Sequence, residues 1–391
     1  MTGLFEAIPP AILDGLMGVP GAAVPTFPVI LGYSINAYHL ATGILASDIL
    51  RDGKKIAQAQ IYVARKYRIP FVISVVDLNV IGEAFGARLT YMPDVIPVHE
   101  VPAIRQLVDI DHLEPKDPHR DGRMPEVLKV ARTFKEKFRS STKFCFGGSE
   151  GPITAAGSVW GVENLLRNMI KNPPLVHKVL TAVTDTIIDF CNAQLEEGVD
   201  AVGFADPTAS STCISPQFFH EFAMPYLKKI VRKVNSPGFL LHICGESLGI
   251  TDDVCRLGAS HVADLLQAYP VRRTVLWKRP VRMSLMKILE DVSMMPKISI
   301  FSVDQVDLKA AKRVIGKRFV ILLGNVSTSI LRFGTPADVE REARACIRAG
   351  APGGNYILSS GCDIAPGTPP ANIEALMKAG RTARYPIDGT K

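Results

Sequence analysis

The chain has 391 residues, 47% of them apolar and 21% charged, a balance that supports a large buried core and excludes an intrinsically disordered chain. Its formal charge of +7 is dispersed along the sequence without interleaved aromatic platforms, which argues against a nucleic-acid partner. Seven scattered cysteines do not make the dense framework of a secreted mini-domain, so a reducing cytoplasm is expected.

Taken in chain order, the N-terminus MTGLFEAIPPAILDG places acids and no Lys or Arg ahead of its apolar stretch, the wrong charge order for a secretory signal. The uncharged run 16–32 is interrupted by Pro20, Pro25 and Pro28, and no membrane span is expected there. Eight short runs rich in Val, Ile, Phe and Leu then follow at 27–32, 71–77, 144–148, 201–206, 239–244, 298–304, 319–325 and 356–362, each leading through a loop into a helical pattern. Most end in a polar or small residue: Asp77, Asp206, Cys244, Asp304, Asn325 and Cys362. The helical stretches include 52–68, 175–198, 216–234 and 336–350, the last with Thr335 as N-cap before Pro336 and Gly350 as its stop.

Eight strand-then-helix units in a chain of this size predict an α/β fold, a (β/α)8 TIM barrel with extra N-terminal and inserted segments, rather than an open doubly wound sheet. Glycines in GGSEGPITAAG, 147–157, match neither a P-loop nor a dinucleotide fingerprint, and the segment reads as a loop at the barrel mouth. Two stretches exceed a minimal crossover, 91–134 and 251–295. The second carries VRRTVLWKRPVR with Trp277, which reads as a solvated surface hairpin or, alternatively, as a lid over an anionic ligand or partner. A single domain over 1–391 with that insertion is expected.

His242 and Cys244 sit in the HxC at the end of the fifth run, and Cys362 in the GC at the end of the eighth. Imidazole and soft thiolates suit zinc, and three protein ligands keep a coordination position for chemistry. Glu221, on the helix after the fourth run, is the candidate fourth ligand. Asp304, Asp206 and Asn325, at strand ends, are the candidate catalytic residues; either aspartate could instead ligate the metal or orient His242, and Asn325 could bond mouth loops or substrate. His220 reads as an exposed helical residue, and Cys145, Cys191 and Cys346 as buried small side chains.

The segments DGRMP (121–125), GPITAAGSVWG (151–161), 198–230, LLHICGES (240–247), 322–339 and 356–376 resemble the uroporphyrinogen decarboxylase superfamily. Within it the chain resembles the corrinoid-dependent methyltransferase branch, typified by methylcobamide:coenzyme M methyltransferases, because the HxC…C pattern is complete. The arginine-rich signature of the decarboxylases is absent from FPVILGYSINAYH, 27–39. Asp77 matches an acid that both branches share.

The resemblance implies an enzyme: a zinc-dependent methyltransferase that moves a methyl group between a corrinoid and a small-molecule donor or acceptor, either a thiol or a methoxylated compound. Zinc would hold a thiol as its thiolate, or assist departure of the oxygen of a methyl ether. The chain is read as lacking a DxHxxG-type cobalamin signature, so the corrinoid, methylcobalamin-like, is expected on a separate corrinoid protein docking over the mouth, with 147–160 and the basic insertion as candidate docking surfaces. The alternatives are a metal-free decarboxylase of uroporphyrinogen or a related acid, and a non-enzymatic corrinoid-binding or metallochaperone-like protein.

Overall fold

A computed structural model describes residues 8–138, 143–245, 247, 250, 251, 254, 298–315 and 320–387. Seven parallel strands form one sheet, and their order in space is their order in the chain: β1 (Phe71–Ile73), β4 (Phe144–Glu150), β5 (Ala201–Ala205), β6 (Gly238–Ile243), β7 (Ile298–Val303), β8 (Val320–Val326) and β9 (Tyr356–Ser360). Between β1 and β4 lies a separate two-stranded antiparallel ribbon of β2 (Arg88–Thr90) and β3 (Val98–Val101). Every residue of β4 and of β9 is buried, as expected for parallel strands covered on both faces.

The first of the eight expected runs is not a strand. Thr26 makes one parallel bridge to Leu358, flanked by Phe27 N–H to the Leu358 carbonyl and Leu358 N–H to the Pro25 carbonyl, both 2.8 Å. Pro25 and Pro28 have no N–H to extend that ladder, and a helix begins at Leu31. This short segment nonetheless occupies the place of a first strand beside β9, and its Phe27 ring lies 4.6 Å from that of Phe71 on β1, so the curled sheet closes by packing on that side. At the opposite end of the lumen lies the helix Pro10–Leu16, whose Ile12 and Leu16 line one small cavity with Phe144, Ile300 and Ile357.

Helices fill the crossovers where the periodicity places them. Asp52 caps Gly53–Lys66 by accepting from the backbone N–H of Lys54 and Lys55. Thr335 and Asp338 form a reciprocal capping box at the start of Pro336–Gly350, as the Thr-Pro pair predicts. The glycine-rich segment 147–157 is a correction. Gly147 and Gly148 belong to β4 and the helix Pro152–Trp160 follows almost at once; residues 147–160 are buried throughout, so the segment is neither a loop nor a docking surface. Gly147 is there for packing, since a Cβ on it would fall 3.0 Å from Gln194 and Val199.

β1 ends sooner than expected, at Ile73, and Asp77 beyond it is buried against the DGRMP segment. Arg123 donates to both Asp77 carboxylate oxygens at 2.9 Å and from Nε to Glu83 at 2.5 Å. Burial alone would raise the Asp77 carboxyl, but the guanidinium beside it holds it below the usual range. The inserted stretch 251–295, with Trp277, lies outside the described residues apart from Thr251 and Val254. Among the described residues no helix is long and apolar enough to cross a membrane.

Candidate metal centre

β6 delivers His242 as its penultimate residue and Cys244 just past its end, while Cys362 follows β9. Three crossovers' worth of chain therefore converge at the C-terminal rim of the sheet, where a barrel of this type places its chemistry. One ligand atom from each of the three residues lies within 4.8 Å of the others, and among the described residues this is the one His, Cys, Asp or Glu group so arranged. His242 Nε2 is 2.7 Å from Cys244 Sγ, which is 3.0 Å from Cys362 Sγ.

The donor set fits zinc. A metal about 2.3 Å from two sulfurs at a tetrahedral angle separates them by about 3.8 Å, so the pair would open by about 0.8 Å on loading. The two thiols are coupled: the hydrogen bond from Cys244, with a further contribution from His242, draws Cys362 down, and the same bond together with burial raises Cys244.

Ser302 completes the histidine's environment. On β7 it is the direct register partner of His242 on β6, and its Oγ lies 2.9 Å from His242 Nδ1. The tautomer that leaves Nε2 free as a ligand carries its proton on Nδ1 and donates it to this hydroxyl. Sequence reasoning passed over Ser302, although the period-two spacing to Asp304 was a usable signal. Ser302→Ala is expected to weaken metal binding by about ten- to a hundredfold without changing the ligand set, which a chelator competition would measure.

Asp304 stands beside the group rather than in it. Its Oδ2 accepts from the Gly245 N–H at 3.4 Å, and a Cβ on Gly361 would fall 2.4 Å from its Oδ1. The carboxylate therefore sits between the residue after Cys244 and the residue before Cys362, and glycine at 361 is what lets it close against that loop. Burial raises its carboxyl, reinforced by the charge of Cys362. Asn325 fixes the same corner: its amide donates to the carbonyls of Asp304 and Val306, each at 2.7 Å.

Two expected members are not brought to the centre. Asp206 is fully buried with its carboxylate turned to the helix Pro152–Trp160, where it accepts from the N–H groups of Ile153 and Thr154 and from Thr154 Oγ1. It caps that helix across the fold, and burial raises its carboxyl to about 6 against the pull of those bonds. Glu221 lies exposed on the π-helical turn Phe219–Ala223 and does not join the group; its turn projects it away from the buried face carried by Phe219 and Phe222. His220 is exposed, and Cys145, Cys191 and Cys346 are buried, as expected.

One sequence reading needs correction. DPHRDG at 117–122 does carry D-x-H-x-x-G spacing. Its residues form an exposed turn in which Asp117 accepts from the His119 N–H and Asp121 from the Asp117 N–H. No residue of this turn belongs to the group formed by His242, Cys244 and Cys362.

Comparison with known proteins agrees with this architecture. Over 326 residues the chain is 29% identical to a methylcobamide:CoM methyltransferase of Methanosarcina barkeri, covering 83% of this chain and 81% of that one. A methylated-thiol–coenzyme M methyltransferase of Methanosarcina mazei is 25% identical over 311 residues, 79% of this chain and 72% of that one. A solved methyltransferase structure from Methanosarcina mazei superposes with a TM-score of 0.72 at 25% identity, covering 94% of this chain and 96% of that one. The Uroporphyrinogen decarboxylase (URO-D) family matches residues 18–265 and 281–383, and with the barrel and the rim site in view the chain belongs to that family and is, within it, similar to its methyltransferases.

Proposed function

We propose that this chain is a zinc-dependent methyltransferase that moves a methyl group between a corrinoid carried by a separate protein and a small thiol or methoxylated compound. The observation that supports this reading most is the convergence of His242, Cys244 and Cys362 at the rim of the barrel, a set that leaves a fourth position for substrate. Zinc bound there supplies a Lewis acid that holds a thiol as its thiolate at neutral pH and so makes it nucleophilic. The chain's own residues do the positioning: Ser302 sets the His242 ring, while Asp304 and Asn325 hold the loops that carry the cysteines. Relatives named for their use of methylcobamide support a corrinoid as the second reactant.

The reading is tested by incubating the protein with a corrinoid protein in its methyl-cobalt(III) and cobalt(I) forms, offering thiols and methoxylated compounds separately. Loss or gain of the methyl-cobalt absorption band should require zinc and stop when a chelator strips the metal. Decarboxylation of uroporphyrinogen that persists in chelator, with no change in the corrinoid spectrum, would establish the metal-free decarboxylase instead.

A further inference from the structure

Directly behind His242 and Ser302 the barrel lumen is hollow, with a cavity of about 60 Å³ that both side chains help to line. Barrel interiors are ordinarily filled at each layer by bulky branched side chains. Here β4 and β5 place Gly148 directly opposite Gly203 in register, and Ala205, the register partner of His242, leaves the next position nearly empty as well. The walls include Phe146, Leu240, Leu323, Val75 and Leu78, with Ser149 as a further polar residue beside His242 and Ser302. No Lys, Arg, Asp or Glu is among the described residues that line it.

We propose that this cavity receives the tail of the thiol held at the metal, and that the substrate is a short, uncharged alkanethiol. The inference rests on the methyl-transfer reading of the site and narrows it. Among the described residues an anionic tail in such a lumen meets no cation, and the only polar side chains at its wall, Ser149, His242 and Ser302, leave its surface almost wholly apolar, so burial of an unpaired charge is strongly opposed. Size sets the other limit. An apolar cavity of about 150 Å³ accommodates benzene, so the space here suits roughly two or three carbon atoms and excludes an aromatic ring. The missing side chains at 148, 203 and 205 thus act as the specificity determinant: small residues in the wall define a small neutral guest.

The test uses the full-length protein loaded with cobalt(II) in place of zinc, whose sulfur-to-metal charge-transfer band reports thiol binding without turnover. Ethanethiol and 2-mercaptoethanesulfonate share a two-carbon thiol and differ in the anionic end. Ethanethiol is expected to bind at least about tenfold more tightly when both are compared at equal thiolate concentration, and Ala205→Leu, which fills the cavity, should abolish that preference while keeping the cobalt spectrum of the unliganded protein. Where Ala205→Leu fails to hold cobalt, Ala205→Val is read in the same way, and the preference of the native chain decides the charge question by itself. Equal or tighter binding of the sulfonate, or tighter binding of phenylmethanethiol than of ethanethiol, would overturn the proposal and leave methyl transfer standing. If neither thiol alters the spectrum of the cobalt protein, the thiol proposal falls, and the methyl-transfer reading is then decided by its methoxylated-compound arm.

Discussion

Cys362→Ala is expected to abolish stoichiometric zinc binding and methyl transfer while leaving the fold intact. Removing one thiolate from a three-donor protein site weakens metal affinity by on the order of a thousandfold, given the binding energy such donors share. The variant loses the one ligand contributed from β9 and retains a His-x-Cys pair on β6 that holds metal weakly. Cys362 is half-buried just past the strand, so alanine leaves no buried charge and little cavity, and the circular dichroism spectrum should be unchanged. Elemental analysis after gel filtration reads the result directly. Glu221→Gln is the matched control: because Glu221 lies exposed and away from the group, its zinc content should equal that of the native chain. One equivalent of zinc retained by Cys362→Ala would remove the metal centre from this site altogether.

The convergence of His242, Cys244 and Cys362 was legible in the sequence because each member sits where an apolar run gives way to polar residues, and in a parallel barrel all such ends share one rim. The order of the strands was legible for a related reason: strands covered on both faces, as β4 and β9 are, read as near-continuous apolar runs. Elsewhere the sequence misled. The run 27–32 has strand composition, but Pro25 and Pro28 leave only a single bridge at Thr26. Glycines at 147 and 148 suggested a loop and instead serve packing, against Gln194 outside and the lumen inside. Asp206 ends its strand as Asp304 does, yet its hydrogen-bond partners lie some fifty residues earlier, in a helix whose N-terminus only the folded chain brings near. Ser302 depends on the register between β6 and β7, and the hollow lumen on which small residues face one another across β4 and β5. Composition sets neither of these; pairing does.

Arg123→Ala should destabilise the protein by about 3–5 kcal/mol at neutral pH, the cost of stranding a buried carboxylate that has lost its partner. The pair is hidden: the Arg123 side chain is 7% exposed and that of Asp77 0%, so water cannot take over the guanidinium's two bonds. The dependence on pH distinguishes this loss from simple truncation. In the native chain the Asp77 carboxyl is held below its unfolded value of about 4, so its contribution to stability is fully present above that value and disappears as pH falls through the lower folded one. Without Arg123, burial is the dominant influence left on Asp77, and it raises the carboxyl. The sign then reverses: the folded variant favours the protonated acid, so its deficit relative to the native chain is largest near neutrality and shrinks as pH drops through the raised value. Urea unfolding midpoints at neutral and mildly acidic pH measure this, with Asp77→Asn combined with Arg123→Met as the reference in which neither charge is buried. That double variant should recover much of the loss at neutral pH, because the penalty lies in the unpaired ion and not in the absence of the bridge. A deficit in Arg123→Ala that stays constant across the pH range would assign it to lost packing of the guanidinium against Tyr91, whose ring centroid lies 5.5 Å away, and not to the Asp77 charge.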